Sequence, residues 1–202
     1  MLKIWGRVNS LNVQKVMWTL DELGVAHERI DAGLQFGKNR EPWYLKMNPN
    51  GLVPVIDDGG FVLWESNAVV RYLYAKYGKP QTHEQRADAD RWMEWYSSTI
   101  GRSIGPAFMG LIRTPPEKRD PAAIEASRKA SAADLTILEA QLAGRDFVCG
   151  KELTMGDIPL GAVIHRWYGL PLERPATPNI EAWYKRLCGR PAYRKHVMLP
   201  LT

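Results

Sequence analysis

Strand and helix signals alternate through the first 77 residues of this chain and then strand signals cease, and no other feature of the sequence constrains the fold as tightly. Residues 3–5 are short and apolar. Over residues 11–23, Val13, Val16, Met17, Leu20 and Leu23 recur at helical spacing, and Gly24 is placed to end the helix. Residues 26–31 alternate as a strand does, and after a looser stretch with Gly33 and Gly37 a short helix is expected over 43–47. Two further strands, 54–57 and 61–64, flank Asp58-Gly59-Gly60, where glycine accommodates the positive φ of a hairpin turn. A helix from Ser66 as its cap to about residue 77 completes the series. The order is βαβ, then α, then ββα. A parallel crossover unit joined to an antiparallel hairpin is an α/β design.

From residue 82 onward the grammar is all-helical. Long helices are expected over 84–110, interrupted at Pro106, and over 116–142 after the Thr114-Pro115-Pro116 break. Shorter ones follow at 155–168, 179–187 and 191–197. The change falls at Gly78-Lys79-Pro80, a linker composition. It divides the chain into an α/β domain, residues 1–78, and an all-α domain, residues 84–202.

Composition narrows the function classes. The formal charge of +5 has no lysine- or arginine-rich block behind it, and its basic residues are scattered along helical stretches. That distribution reads as solvated surface and not as a nucleic-acid groove, although a modest positive field helps attract a small anionic substrate. Cys149 and Cys188 form no CxxC or metal-ligand pattern, so no metal site and a reduced compartment are expected. Residues 1–5 read as a strand and not a signal peptide, and no stretch approaches the roughly 20 apolar residues of a membrane span. The expected location is the cytoplasm.

Two motifs carry chemistry. In Asn48-Pro49-Asn50-Gly51-Leu52-Val53-Pro54-Val55-Ile56, Pro54 opens an apolar strand without a ladder donor. It is either an edge-strand marker or a cis proline that turns the backbone of Val53 outward, where an extended peptide can pair with it. Eleven residues on, Glu65-Ser66-Asn67-Ala68 joins a strand to a helix. Ser66 and the uncapped N–H groups at a helix start accept a carboxylate, and Glu65 beside them can hold an ammonium. Together they recognise the zwitterionic head of an amino acid.

The stretches NPNGLVPVI and ESNAVVRYL, in that order and at that spacing, resemble the glutathione site of cytosolic glutathione transferases, and the likeness extends over essentially the whole chain. It implies a thioredoxin-like N-terminal domain and a helical C-terminal domain that shapes a second, apolar site. It further implies pairing of the cysteinyl backbone of glutathione with Val53 before a cis Pro54, and a γ-glutamyl end held by Glu65 and Ser66. Leu153-Thr154-Met155-Gly156-Asp157-Ile158 resembles the family's capping motif. Its expected role is structural, with Thr154 capping the N–H near Asp157, Asp157 reaching back, and Leu153 packing on Ile158.

Thiol transfer needs a thiolate, and a free thiol has a pKa of about 8.5, so a donor near the sulfur is required. Its place is the β1–α1 junction, Gly6-Arg7-Val8-Asn9-Ser10-Leu11-Asn12-Val13. By resemblance Ser10 matches the catalytic serine of the theta and delta-like classes, and otherwise it is a helix cap. Ser10-Leu11-Asn12 also resembles the Thr-x-Asn arrangement of the nu class, in which an amide stabilises the sulfur and disulfide reduction is a leading activity. Gln35 and Lys38 are candidates for the glycyl carboxylate, or are simply solvent-exposed. Relatives often carry His or Lys where this chain has Gly51. Tyr96, Ile100, Ile104 and Phe108 recur at four-residue steps and, with Trp167, are either helix core or the wall of an apolar substrate site.

The expected protein is thus a glutathione transferase acting on a hydrophobic electrophile, and the resemblance implies a homodimer. Its rivals are a glutathione-dependent disulfide reductase and a non-catalytic module that binds glutathione or apolar ligands.

Overall fold

The computed structural model describes residues 1–202. Its contacts divide the chain into two compact units, Met1–Pro80 with Ala192–Leu199, and Gln81–Pro191 with Pro200–Thr202.

The first unit is built on a four-stranded sheet ordered β2-β1-β3-β4, from strands β1 (Leu2–Trp5), β2 (His27–Ile30), β3 (Val55–Asp58) and β4 (Phe61–Trp64). β1 runs parallel to β2 and antiparallel to β3, and Ile4 is flanked by Arg29 on one side and Ile56 on the other. Strand periodicity sorts the faces. Leu2, Ile4 and Ile56 pack on Val13, Val16 and Leu20 of α1 (Leu11–Glu22) and on Val69 and Leu73 of α3 (Ser66–Tyr77). Trp5 and Val55 face the other way, onto Tyr44 of α2 (Pro42–Met47) and Ala32. Each aliphatic side chain fully buried here contributes about 1.5–3 kcal/mol relative to exposure.

Polar bonds fasten the hairpin to α3. Asp57 accepts the Gly60 N–H at 2.7 Å. Asp58 accepts from the Tyr72 hydroxyl at 2.8 Å, Lys76 Nζ at 2.7 Å and the Tyr77 hydroxyl at 2.7 Å. Burial alone would raise the Asp58 carboxyl, but these three donors hold its pKa below the ordinary value.

The last helix, α9 (Pro191–His196), was expected with the helical domain, yet residues 192–199 join the first unit. The reason is long-range: Tyr193 packs edge-on against Trp18 with ring centroids 4.8 Å apart. Asp21 accepts from Lys195 Nζ at 2.8 Å and His196 Nε2 at 2.7 Å.

The second unit is helical. Thr82 and Gln85 form a reciprocal capping box at the start of α4 (His83–Trp95). A π-helical turn, Tyr96–Ile100, carries the chain into α5 (Gly101–Phe108), and another, Met109–Arg113, follows. The expected interruption at Pro106 does not end α5. Ser127 of α6 (Pro121–Gln141) accepts the Ala107 N–H at 3.0 Å and donates to the Ser103 carbonyl, so its hydroxyl stands in the ladder where the backbone bond would be. The helix expected from residue 116 opens instead as a single 3-10 turn, Pro116–Lys118. α6 starts only where Asp120 accepts the N–H groups of Ala122 at 2.9 Å and Ala123 at 3.0 Å and Pro121 presets the first helical φ.

α7 (Asp157–Gly169) and α8 (Pro178–Cys188) are joined through Asp157, which is fully buried. One carboxylate oxygen accepts from Val148 N at 2.9 Å and Trp183 Nε1 at 3.0 Å. The other accepts from Thr154 N at 2.9 Å and Thr154 Oγ1 at 3.0 Å. Asp157 therefore reaches back as expected, but the Thr154 hydroxyl donates to the carboxylate and does not cap an N–H. Burial pushes the Asp157 carboxyl upward in pKa, and the four donors oppose that rise.

Candidate active site

Three segments of the first unit carry the residues that the sequence singled out. The β1–α1 loop delivers Ser10 to the start of α1, in extended backbone with φ −84° and ψ 119°. Ser10 holds the cap position: its carbonyl accepts the Gln14 N–H at 2.8 Å. Its hydroxyl makes no capping bond, although the residue is buried at 7% exposure. That leaves a donor at the positive end of a 12-residue helix.

The second segment is the start of α3. Glu65, and not Ser66, occupies the cap position, with a φ of +67° that costs a non-glycine residue on the order of 1 kcal/mol. Ser66 is the first helical residue. No side chain caps the first N–H groups of α3, so they and the helix dipole form an anion-accepting cradle. The Ser66 hydroxyl donates to Asn12 Oδ1 at 3.2 Å, a bond across 54 residues that ties this cradle to the β1–α1 segment.

The third segment is pinned by side chains. Asn48 accepts the Asn50 N–H at 3.0 Å and donates to the Leu52 carbonyl at 2.9 Å, which also receives the Tyr44 hydroxyl at 2.8 Å. Burial pushes the Tyr44 phenol above its ordinary pKa, keeping it a donor. The Val53–Pro54 bond is cis, which decides between the two readings of Pro54. With Leu52 held and Val55 already in the sheet, the N–H and C=O of Val53 take no partner from the protein's backbone. Asn39 Nδ2 donates to the Gly51 carbonyl at 2.7 Å and so connects this segment to the loop of Gln35 and Lys38. Gln35 is exposed on a 3-10 turn, Leu34–Phe36, and Lys38 is half-buried with a φ of +66°.

Sequence reasoning missed Lys15. This lysine is 1% exposed, and its Nζ donates at 2.8 Å to Asn67 Oδ1, one residue into α3 from Ser66. It holds the Asn67 amide in place beside the cradle. The signal was available: Lys15 stands between Leu11 and Trp18 on an apolar stripe of α1, where a charge needs a partner.

In the second unit the apolar stripe is mostly core. Ile100, Ile104 and Trp167 are at most 1% exposed. Phe108 lies under the Arg166 guanidinium, 3.6 Å from its ring centroid, with Arg113 at 5.8 Å. Tyr96 is half-buried, and burial pushes its hydroxyl up to about 12 against the opposing charge of Arg166. No three His, Cys, Asp or Glu side chains gather closely enough to hold a metal ion.

An α/β unit with a cis proline before β3 and an uncapped serine at the start of α3, followed by a helical unit, defines a class. The model of the glutathione S-transferase N-terminal domain matches residues 1–75, and that of the C-terminal domain matches residues 121–186. The chain belongs to the glutathione S-transferase family of enzymes. It is 44% identical to glutathione S-transferase GstB of Escherichia coli strain K12, with 100% of both chains covered. It is 31% identical to glutathione S-transferase 3 of Zea mays, over 97% of this chain and 93% of that one. Among solved structures, the theta class glutathione S-transferase of Xanthomonas axonopodis pv. citri with glutathione bound superposes with a TM-score of 0.95 at 47% identity, over 100% of this chain and 99% of that one. No helix is long and apolar enough to cross a membrane.

Proposed function

We propose that this chain binds glutathione, lowers the pKa of its thiol with Ser10, and transfers the sulfur to a hydrophobic electrophile. The observation that carries the reading is the Ser10 hydroxyl, buried at the start of α1 yet unused as a cap, beside an Asn12–Ser66 bond that gathers the two polar segments. In this reading the γ-glutamyl carboxylate sits on the α3 cradle with Ser66, its ammonium meets Glu65, and the cysteinyl N–H and C=O pair with Val53. Gln35 and Lys38 face the glycyl carboxylate. The thiol gives its proton to solvent, and Ser10 Oγ donates a hydrogen bond to the thiolate. The sulfur lone pair forms the new S–C bond while the leaving group departs with its electrons.

The helical unit supplies the apolar contacts for the electrophile, with Tyr96 and Phe108 lining them and Ile100, Ile104 and Trp167 backing them from the core. A homodimer is part of the proposal, supported by Phe61 and Val62, which are adjacent and exposed on the edge strand β4. A reducing cytoplasm accords with two unpaired cysteines.

Ultraviolet thiolate absorbance of the complex tests the reading. The bound thiol should titrate below its free value of about 8.5, and Ser10→Ala should move it back and lower kcat/KM roughly 10- to 150-fold, the worth of a hydrogen bond to a charge. A bound thiol with the free pKa would make the protein a binding module and not a catalyst. Asn12, exposed and with its amide oriented by Ser66, favours a second reading, glutathione-dependent disulfide reduction. Activity on a model disulfide above that on aromatic halides, lost in Asn12→Ala and kept in Ser10→Ala, would establish it.

A further inference from the structure

Phe108 ends α5, and the π-helical turn Met109–Arg113 begins directly after it. In an α-helix, residues five apart point to different sides. The wider turn closes instead from the Thr114 N–H to the Met109 carbonyl, at 2.9 Å, and so brings Arg113 round to Phe108. The guanidinium carbon of Arg113 stands 5.8 Å from the ring centroid. Arg119 fastens the exit of the turn, donating to the Leu111 carbonyl at 2.7 Å and to the Thr114 carbonyl at 3.2 Å. The segment that presents Arg113 is therefore held in one setting.

Arg166 of α7 lies over the same ring, 3.6 Å from its centroid. Its charge also acts on the Tyr96 hydroxyl, at the start of the other π-helical turn. Two cations and two aromatic rings thus gather where two π turns flank α5, a kind of irregularity that recurs at functional sites. Arg113 is half-buried and meets no carboxylate; the Phe108 ring is the partner it has. Like charges this close oppose each other, and a carboxylate bound beside them offsets that cost. A guanidinium offers such a group two parallel N–H bonds.

We propose that the helical unit selects electrophiles that carry a carboxylate on an aromatic body. Arg113 grips the carboxylate, Arg166 adds its charge, and Tyr96 and Phe108 flank the substrate ring. This selection rests on the glutathione-transfer reading above and names the class of its second substrate. The carboxylate takes no part in bond making. At an activated aryl chloride the thiolate lone pair forms the S–C bond, the ring holds the negative charge in transit, and chloride leaves with the C–Cl pair. The carboxylate carries the same charge before and during that step. The arginine contacts therefore bind substrate and transition state alike, and they act on KM.

Steady-state kinetics at saturating glutathione, with 4-chloro-3-nitrobenzoate set against its neutral isostere 4-chloro-3-nitrobenzamide, provide the test. KM for the acid should lie at least about tenfold below that for the amide. Arg113→Gln should narrow this ratio about fivefold or more, a loss moderated by solvent because Arg113 is only half-buried. The change should fall on KM and not on kcat. Arg113→Lys, which keeps the charge but not the fork, should recover part of it. KM for the acid should also climb with salt between about 0.05 and 0.5 M, and that for the amide should not. Equal KM values, a ratio indifferent to Arg113→Gln, or a rise in KM for glutathione in that variant would each overturn the assignment. Turnover of neither compound would count against the transfer reading. Calorimetric binding of the unreactive 4-methyl-3-nitrobenzoate and its amide then decides the selection by the same ratio in the same variant.

Discussion

Asp157→Ala isolates the value of one buried carboxylate. The wild-type side chain, with no exposure to solvent, receives four hydrogen bonds, and those from Val148 N and Trp183 Nε1 are themselves buried. Alanine leaves these two donors with neither partner nor water, at about 1–3 kcal/mol each, or roughly 4 kcal/mol together. The Thr154 donors are partly exposed and recover much of their loss in water. For a chain of this length 1 kcal/mol shifts the melting temperature by about 2–4 °C, so the expected fall is roughly 8–16 °C. Asp157→Asn keeps one oxygen for one pair of donors but sets an amide N–H₂ against the other pair, so it should lose about half as much. Thermal melts by circular dichroism, with bound-glutathione affinity as a second readout, provide the check. A fall below about 2 °C for alanine, or an asparagine variant worse than alanine, would refute the claim that satisfaction of these donors holds α7 and α8 together.

Other outcomes follow from single contacts. Gly51 has a φ of +60°, and an added Cβ would stand 2.8 Å from the Asn39 carbonyl oxygen, so Gly51→Ala should cost about 1–3 kcal/mol in melts and raise KM for glutathione. Ser127→Ala strips the Ala107 N–H and the Ser103 carbonyl of their shared partner and should cost about 1–3 kcal/mol by denaturant titration, with Ser127→Cys recovering little. Burial would raise Asp21, but Lys195 and His196 leave its pKa lowered, so the stability it contributes is present above the unfolded value of about 3.9 and lost as pH falls through the folded one. His196 is lowered, chiefly by burial, so it too withdraws stability as pH falls below about 6.5. Asp21→Asn should therefore be less stable than wild type at neutral pH and converge with it as pH falls through the lowered pKa of Asp21, as melts across the acid range will read.

Local rules located the elements whose determinants are local. β4 falls on residues 61–64 as the apolar run after the Asp58-Gly59-Gly60 turn requires, and α1 ends at Glu22, one residue before Leu23, the last apolar position of its spacing. Departures arise wherever a distant atom decides. Residue type made Ser66 the cap of α3, but the positive φ at Glu65 places the cap one residue earlier and turns Ser66 toward Asn12. Pro106 breaks a helix by every local criterion, and a hydroxyl from another helix completes the ladder around it. Nothing in the periodicity of residues 191–197 announces that Tyr193 belongs against Trp18. The zwitterion and thiol candidates stood out because chemistry needs them at fixed spacing. Asn48 and Tyr44, which hold those candidates in place, carry no such spacing and emerge only once their partners are known, whereas Lys15 shows in the sequence only as a charge on an apolar stripe.

The serine that completes α5 also changes what kind of object that helix is. Its hydroxyl is a rung contributed from 20 and 24 positions away, so α5 lacks a closed backbone until α6 lies beside it. A slide of α5 along α6 by one residue, about 1.5 Å, would break both bonds at once, so their axial register admits a single setting. In folding, a helix that would ordinarily form from its own neighbours becomes a non-local event, and α5 and α6 should gain hydrogen-exchange protection together, as one cooperative unit.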